Sequence, residues 1–271
     1  MPELPEVETV KNGLIKKVLN KKITSCKIIY EGIIAYPKTE EFIKNITNQT
    51  INDIKRKGKF LIFELDDYFL VSHLRMEGKY FIKEKKDSLN KHDHVILTLN
   101  DKEELRYNDT RKFGKMHLVK KDELDKTPLI KLGLEPWDDS LTKEYLKIKF
   151  NKNKAIKTLL LDQSIITGIG NIYADEILFL SKINPNTKGS DLTNKNLQDI
   201  INNTKIILEK AIKSGGTTIH TYTSVDGITG RFQQELLVHG KKSLLCPTCK
   251  TEILKIVVNG RGTYYCSKCQ K

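Results

Sequence analysis

The chain opens Met1-Pro2-Glu3-Leu4-Pro5-Glu6-Val7-Glu8, and the chemistry in this stretch rests on Pro2. Met1 precedes a small residue, so an aminopeptidase can remove it and leave Pro2 as a free secondary amine. An α-amino group titrates at roughly 7.7–8.0, far below a lysine, so a good fraction of it is neutral and nucleophilic at working pH. A secondary amine that condenses with an aldehyde carbon forms an iminium. That ion cannot lose its charge by deprotonation and remains an electron sink. Glu3 stands beside it as a candidate acid or base. The same residues also suit a plain helix start, with Pro5 at the first helical position, acids in the first turn, and Val7, Val10, Leu14 and Val18 at helical spacing.

A second constellation closes the chain. Cys246-Pro-Thr-Cys249 is followed after sixteen residues by Cys266-Ser-Lys-Cys269, the four-thiolate spacing of a zinc ribbon. Two such knuckles fill all four positions of one tetrahedral Zn²⁺, which makes it structural rather than catalytic. Cys26 is left over and reads as a buried strand residue. Between the knuckles, Asn259-Gly260-Arg261-Gly262 reads as a hairpin tip exposing one Arg, suited to a phosphate or groove contact. Thr167-Gly168-Ile169-Gly170-Asn171-Ile172-Tyr173 puts glycines just before a helix start that can hold a phosphate, or simply makes a bend. His73-Leu-Arg75-Met76-Glu-Gly78 and Asp109-Thr-Arg111-Lys112-Phe113-Gly114 put apolar side chains and Arg at strand-to-turn positions. Those are the residue types wedged into a base stack, although Met76 and Phe113 equally suit a core. His92-Asp93-His94 lacks the further ligands a metal needs, and His92 reads as a phosphate contact or a capped turn.

The elements that must position these residues change character along the chain. After the first helix, Phe60–Leu65, Tyr68–Leu74, Tyr80–Ile82, Val95–Leu99 and Met116–Val119 read as strands of a sandwich or barrel. The mixed-charge run from Lys120 to Asp139 reads as a junction. Beyond it, Tyr145–Phe150, Ala155–Leu161, Ile172–Leu180 and Leu197–Ile212 are helical. The Gly/Thr/Ser-rich stretch 215–232 is too long for a simple connector and reads as functional or mobile. With 271 residues, a net charge of +13 and pI near 9.3, the expected partner is a polyanion, nucleic acid ahead of membrane. Only six of the 47 basic residues are Arg, so each is informative. No signal peptide or membrane-length apolar run is visible, and a soluble intracellular protein is expected.

In order along the chain, Pro2-Glu3-Leu4-Pro5-Glu6-Val7-Glu8, Gly58-Lys59-Phe60, His73 to Gly78, Asp109 to Gly114, Gly170-Asn171-Ile172-Tyr173, Gln234-Glu235-Leu236 and the zinc ribbon closely resemble the bacterial formamidopyrimidine-DNA glycosylase family. The resemblance spans essentially the full length. It implies an α+β fold: an N-terminal catalytic β-sandwich with flanking helices over 1–130, a helix–two-turn–helix DNA-binding domain over 131–240, and a four-cysteine zinc finger over 241–271. Residues 215–232 then form the loop that closes over the lesion. It implies excision of 8-oxoguanine and formamidopyrimidines from duplex DNA held between the halves, with the lesion nucleotide flipped out. Pro2 attacks the sugar C1′, Glu3 shuttles protons, and β- and δ-elimination follow. Lys59 matches an active-site lysine that contacts phosphate and donates a proton in elimination. Arg261 matches a phosphate clamp that donates in the δ step, and Asn171 a second clamp. His92 matches a DNA contact, and Lys157 another active-site lysine that contacts DNA. Met76, Arg111 and Phe113 match residues filling the vacated space, Arg111 reading the orphan cytosine. One structural Zn²⁺, a monomer, no membrane and a bacterial cytosolic or nucleoid location complete the expectation. Two positions depart from the family pattern: His239 stands where Tyr is common, and Lys112 where many members have a second Arg. The rival within the fold is endonuclease VIII, specific for oxidised pyrimidines, and Leu4-Pro5-Glu6-Val7 favours the purine enzyme. The rival outside it is a non-catalytic zinc-ribbon DNA-binding protein, against which the intact Pro2-Glu3 pair speaks.

Overall fold

The computed structural model describes residues 1–217 and 230–271, so the expected lesion-capping role of 215–232 falls largely outside the described residues. The chain divides into two compact units. One holds residues 1–130 with 215–231, and the other 131–214 with 232–271.

The first unit begins with helix α1 (Leu4–Val18), whose Val7, Val10, Leu14 and Val18 lie on one fully buried face. Leu4 is the first helical residue and Pro5 the second, one place later than the spacing suggests; the missing proline N–H costs nothing in that turn either. Two sheets follow. One orders β1 (Ile23–Ile28), β7 (Asp93–Leu99), β8 (Glu103–Asn108) and β6 (Lys79–Glu84). The other orders β2 (Ile34–Tyr36), β9 (Lys115–Lys120), β5 (Tyr68–His73), β4 (Phe60–Glu64) and β3 (Asp53–Lys57). Residues from both, such as Phe63, Leu70, Leu97 and Leu105, share one core with the buried face of α1, which makes the unit a β-sandwich with a flanking helix.

Two elements escape the apolar-pattern reading. Strand β8 carries Glu104 and Arg106 at buried positions. They satisfy one another at 2.8 Å through Arg106 Nε, and Arg106 also donates to the Ser88 and Asp87 carbonyls. A short helix α2 (Thr39–Ile46) anchors through only Phe42 and Ile46, too few apolar positions to announce it.

The second unit is helical: α3 (Lys143–Phe150), α4 (Ile156–Leu160), α5 (Asn171–Leu180) and α6 (Asn194–Lys213), followed by a hairpin of β10 (Leu254–Val258) and β11 (Arg261–Tyr265). Thr193 caps α6 by accepting from the Asn196 amide. Phe179 of α5 packs with Val238, Ile253, Cys246 and Cys266, so the finger shares a small core with the helices. Among the described residues no helix is long and apolar enough to cross a membrane.

Candidate active site

Pro2 is buried at the head of α1, directly before the N-cap residue Glu3, which is itself 3% exposed. With Met1 attached, the Pro2 nitrogen is an amide and cannot attack a carbon; the arrangement becomes chemical only when Met1 is removed. Glu6, three residues on, accepts the Glu3 N–H on Oε2 at 2.8 Å. Its Oε1 accepts from the Thr217 amide at 2.7 Å and hydroxyl at 3.0 Å. A Cβ at Gly216 (φ 77°) would press on the same carboxylate at 2.7 Å. Glu6 thus ties the backbone of Glu3 to the root of the 215–231 segment, a role that depends on a residue 211 places away and has no signature in the sequence.

Lys59 sits with Gly58 in the two-residue turn between β3 and β4, where Lys57 pairs with Phe60. Gly58 takes φ 58°, the left-handed conformation such a turn demands. The Lys59 side chain is 5% exposed. The turn is joined to α1 by Arg56, which donates to Glu8 at 2.7 Å and to the Gly58 carbonyl at 3.0 Å. Burial raises the Glu8 carboxyl, but hydrogen bonds and charge from Lys11 and Arg56 outweigh it, so the group lies below its ordinary value. Beside Lys59, His73 is buried, with its ring edge-on to Phe60 and Nδ1 accepting the Arg75 amide at 2.9 Å. Burial, with the charges of Arg75 and Lys59, drives its pKa down to about 3. It is a neutral acceptor that shapes the turn carrying Met76.

The two wedge candidates stand in the open, as intercalation requires and a core position would not. Met76 is 37% exposed and Phe113 49%. The Arg111 guanidinium lies 4.8 Å above the Phe113 ring. Their loop is built on Asp109, fully buried, which accepts from the amides of Arg111 (2.9 Å), Phe113 (2.9 Å) and Gly114 (2.8 Å). The Asp109 amide donates to the His92 carbonyl at 3.0 Å, which couples the half-buried His92 turn to the same loop. Gly114 has no room for a side chain against Tyr107. Lys112 takes φ 58° and turns outward over Tyr30.

In the second unit, Asn171 is the first residue of α5, directly behind Gly170. Its Nδ2 donates to the Gly262 carbonyl at 3.0 Å. Arg261 is exposed and opens β11, straight after the Asn259-Gly260 turn with φ 46° and 72°, the type I′ pattern of a tight hairpin. Lys157 differs from expectation. As a DNA-contacting lysine its ammonium would face solvent; instead the side chain is 0% exposed and paired with Asp175 at 2.7 Å, with Thr263 Oγ1 at 2.8 Å and the Gly262 carbonyl at 3.2 Å. Its charge is consumed inside the protein, and it meets the finger backbone. His239 donates or accepts through Nδ1 with Asp175 Oδ2 at 2.7 Å. Glu176, buried, accepts from the amides of Leu237, Val238 and His239 at 2.7–3.0 Å; burial still raises its pKa against those three bonds. Asp175 and Glu176 are not legible in the sequence, because each is defined by partners brought in by the fold; Asp109 lies in a motif that is, and its partners are two to five residues on.

The four finger sulfurs lie within 4.8 Å of one another, with Sγ···Sγ separations of 3.9 Å for Cys246–Cys269 and 3.4 Å for Cys249–Cys266. Tetrahedral Zn–S bonds of about 2.3 Å need sulfurs roughly 3.8 Å apart. The residues fit one structural Zn²⁺, with no position left for substrate. His92-Asp93-His94 forms no such group among the described residues. In Cys26, burial pushes the thiol up to about 12, which leaves it inert.

Comparison with known proteins matches this architecture along the whole chain. Residues 1–116 match the formamidopyrimidine-DNA glycosylase N-terminal domain, 132–223 its H2TH domain, and 243–271 the zinc finger found in FPG and IleRS. The chain is 47% identical to formamidopyrimidine-DNA glycosylase of Bacillus subtilis, covering 100% of this chain and 99% of that protein, and 48% identical to that of Oceanobacillus iheyensis, covering 100% and 98%. It superposes on a Lactococcus lactis FPG mutant in complex with Fapy-dG-containing DNA with a TM-score of 0.94, at 41% identity and full coverage of both chains. The match to Lactococcus lactis Fpg with abasic-site DNA has a TM-score of 0.93, at 41% identity and 99% coverage of each. With three matched domains in order and near-half identity end to end, the chain belongs to the formamidopyrimidine-DNA glycosylase family.

Proposed function

We propose that the protein is a base-excision DNA glycosylase and abasic-site lyase that removes 8-oxoguanine and formamidopyrimidines from duplex DNA. The observation that carries this reading is the buried Pro2-Glu3 pair at the head of α1, with the Lys59 turn tied to the same helix through Glu8 and Arg56. A scaffold retained only for binding has no need to bury a proline and a carboxyl at a helix head and a lysine in a turn tied to that helix.

Once Met1 is gone, the neutral Pro2 amine attacks C1′ of the flipped nucleotide. The N–C1′ bond forms as the glycosidic bond breaks, and the base departs with a proton. Glu3 protonates the sugar-ring oxygen, so the ring opens and the positive charge settles on the nitrogen as an iminium. That ion acidifies C2′–H. Removal of this proton expels the 3′ phosphate (β-elimination), a second elimination expels the 5′ phosphate, and water hydrolyses the remaining iminium to free Pro2. Lys59 donates a proton and contacts phosphate during elimination, and Arg261 serves the δ step in the same way. Asn171 and His92 hold backbone phosphates. Met76, Arg111 and Phe113 enter the space the base leaves, Arg111 reading the orphan cytosine. Domain roles follow the three-part division at 130 and 240, and the protein works as a monomer in the bacterial cytosol or nucleoid. The wild-type Lactococcus relative has also been seen with DNA containing an oxidized pyrimidine. Excision from 8-oxoguanine:cytosine and thymine glycol duplexes is therefore the direct test. Faster excision of the purine supports the reading, and a preference for thymine glycol overturns it.

A further inference from the structure

Close to Arg261 in β11 lies a buried ionic cluster centred on Asp175. Asp175 is 1% exposed and uses both carboxylate oxygens. Oδ1 receives Lys157 Nζ at 2.7 Å; Oδ2 receives the Tyr264 amide at 3.2 Å and is shared with His239 Nδ1 at 2.7 Å. Lys157 continues to Thr263 Oγ1 and the Gly262 carbonyl, the latter also taken by Asn171 Nδ2. Thr263 Oγ1 in turn donates to the Arg261 carbonyl at 2.9 Å.

The strand register explains why these partners are available. Around the Asn259-Gly260 turn, Val258 pairs with Arg261 and Ile256 with Thr263. In an antiparallel ladder the residues between such pairs, Gly262 and Tyr264, turn their backbone groups to the outer edge. That edge would be a row of orphan donors and acceptors. Here it is satisfied by three side chains from α4 and α5. The finger strand is thereby fixed on the helices at the residues just beyond Arg261, in a network whose charges would be costly to bury if any member were missing.

We propose that Asp175 is a positioning residue for Arg261: held between Lys157 and His239, it fixes the outer edge of β11 so that the Arg261 guanidinium meets the 5′ phosphate during δ-elimination. This rests on the proposed lyase function. It also gives Lys157 and His239 a shared purpose, since both bind the carboxylate that sets this strand. Their own contacts with DNA are not needed for it.

The test is a single-turnover reaction of zinc-replete Asp175→Asn protein on an 8-oxoguanine:cytosine duplex, with β- and δ-elimination products resolved. A partial loss of folded protein scales both products equally and leaves their ratio unchanged. Displacement of Arg261 lowers the δ-to-β ratio by at least about tenfold, given that a 1 Å misplacement costs up to ~10²-fold in rate. A ratio equal to wild type overturns the proposal. Should Asp175→Asn fail to fold around the uncompensated Lys157 charge, the Lys157→Met/Asp175→Asn pair removes both charges. It is expected to show the same low ratio, and a wild-type ratio there also overturns it. Absence of base release by the wild-type protein would instead contradict the glycosylase reading itself.

Discussion

Arg56 joins Glu8 and Gly58 through one guanidinium, at 2.7 Å and 3.0 Å, so the helix headed by Pro2-Glu3 and the turn that carries Lys59 are tied together. Catalysis by an amine and a lysine from separate elements needs such a link, because both must meet the same sugar within a fraction of an ångström.

Arg56→Ala is expected to cost about 1–3 kcal/mol of stability, because among the described residues Glu8 then keeps only Lys11 as a cationic partner. It should also slow excision by ~10-fold or more while leaving zinc content unchanged. Arg56→Lys should not restore the rate, since an ammonium lacks the planar fork that reaches both acceptors. Denaturant melts with single-turnover kinetics check both points; full activity of Arg56→Ala would remove this link from the mechanism.

Asp109→Asn should leave DNA binding weakened and excision impaired by roughly 10-fold or more, because a neutral amide replaces the acceptor of three loop amides that hold Arg111 and Phe113 in place. Fluorescence of 2-aminopurine placed opposite the lesion reports whether the void is still filled. Wild-type quenching in the variant would show that the loop does not need this carboxylate.

His73 titrates at about 3 in the folded protein, against roughly 6.5 when unfolded. The unfolded chain binds its proton first as pH falls, so the contribution of neutral His73 is fully present above pH 6.5. It is lost progressively between about 6.5 and 3. Urea melts across this window should show a slope near one proton that His73→Gln abolishes. An unchanged slope in the variant would assign the pH dependence elsewhere, for instance to Glu8, whose lowered pKa acts at more acid pH.

The parts of the site that could be read in advance are those whose chemistry is local. Pro2-Glu3, the paired Cys knuckles and the Asn259-Gly260-Arg261 tip each carry their meaning in adjacent residues. The long strands and helices follow from apolar periodicity, with ends displaced by one to three residues. What stayed hidden depends on distant partners. Strand β8 reads as polar until Glu104 and Arg106 are seen to neutralise each other in the sheet. Lys157 reads as a DNA contact until Asp175 and the finger strand are found around it. Glu6 and Glu176 are ordinary acids in sequence, and only the distant amides converging on them reveal what they hold.

Arg261→Ala is expected to weaken binding to an abasic-analogue duplex by about 10-fold or more while zinc stays at one per chain, since Arg261 is exposed and lies outside the four-sulfur cluster. Chelation of the zinc should lower binding too, by releasing the hairpin that carries Arg261. Binding by Arg261→Ala equal to wild type would remove that residue from the DNA contact.

The covalent role of Pro2 is the centre of the account, and borohydride reduction on lesion DNA measures it. Protein whose mass shows Met1 removed is expected to trap a complex that resists denaturation, with the DNA linked to the terminal proline. Pro2→Gly should weaken the trap, and protein that verifiably retains Met1 should give none. Equal trapping by the Met1-retaining protein would contradict Pro2 as the nucleophile.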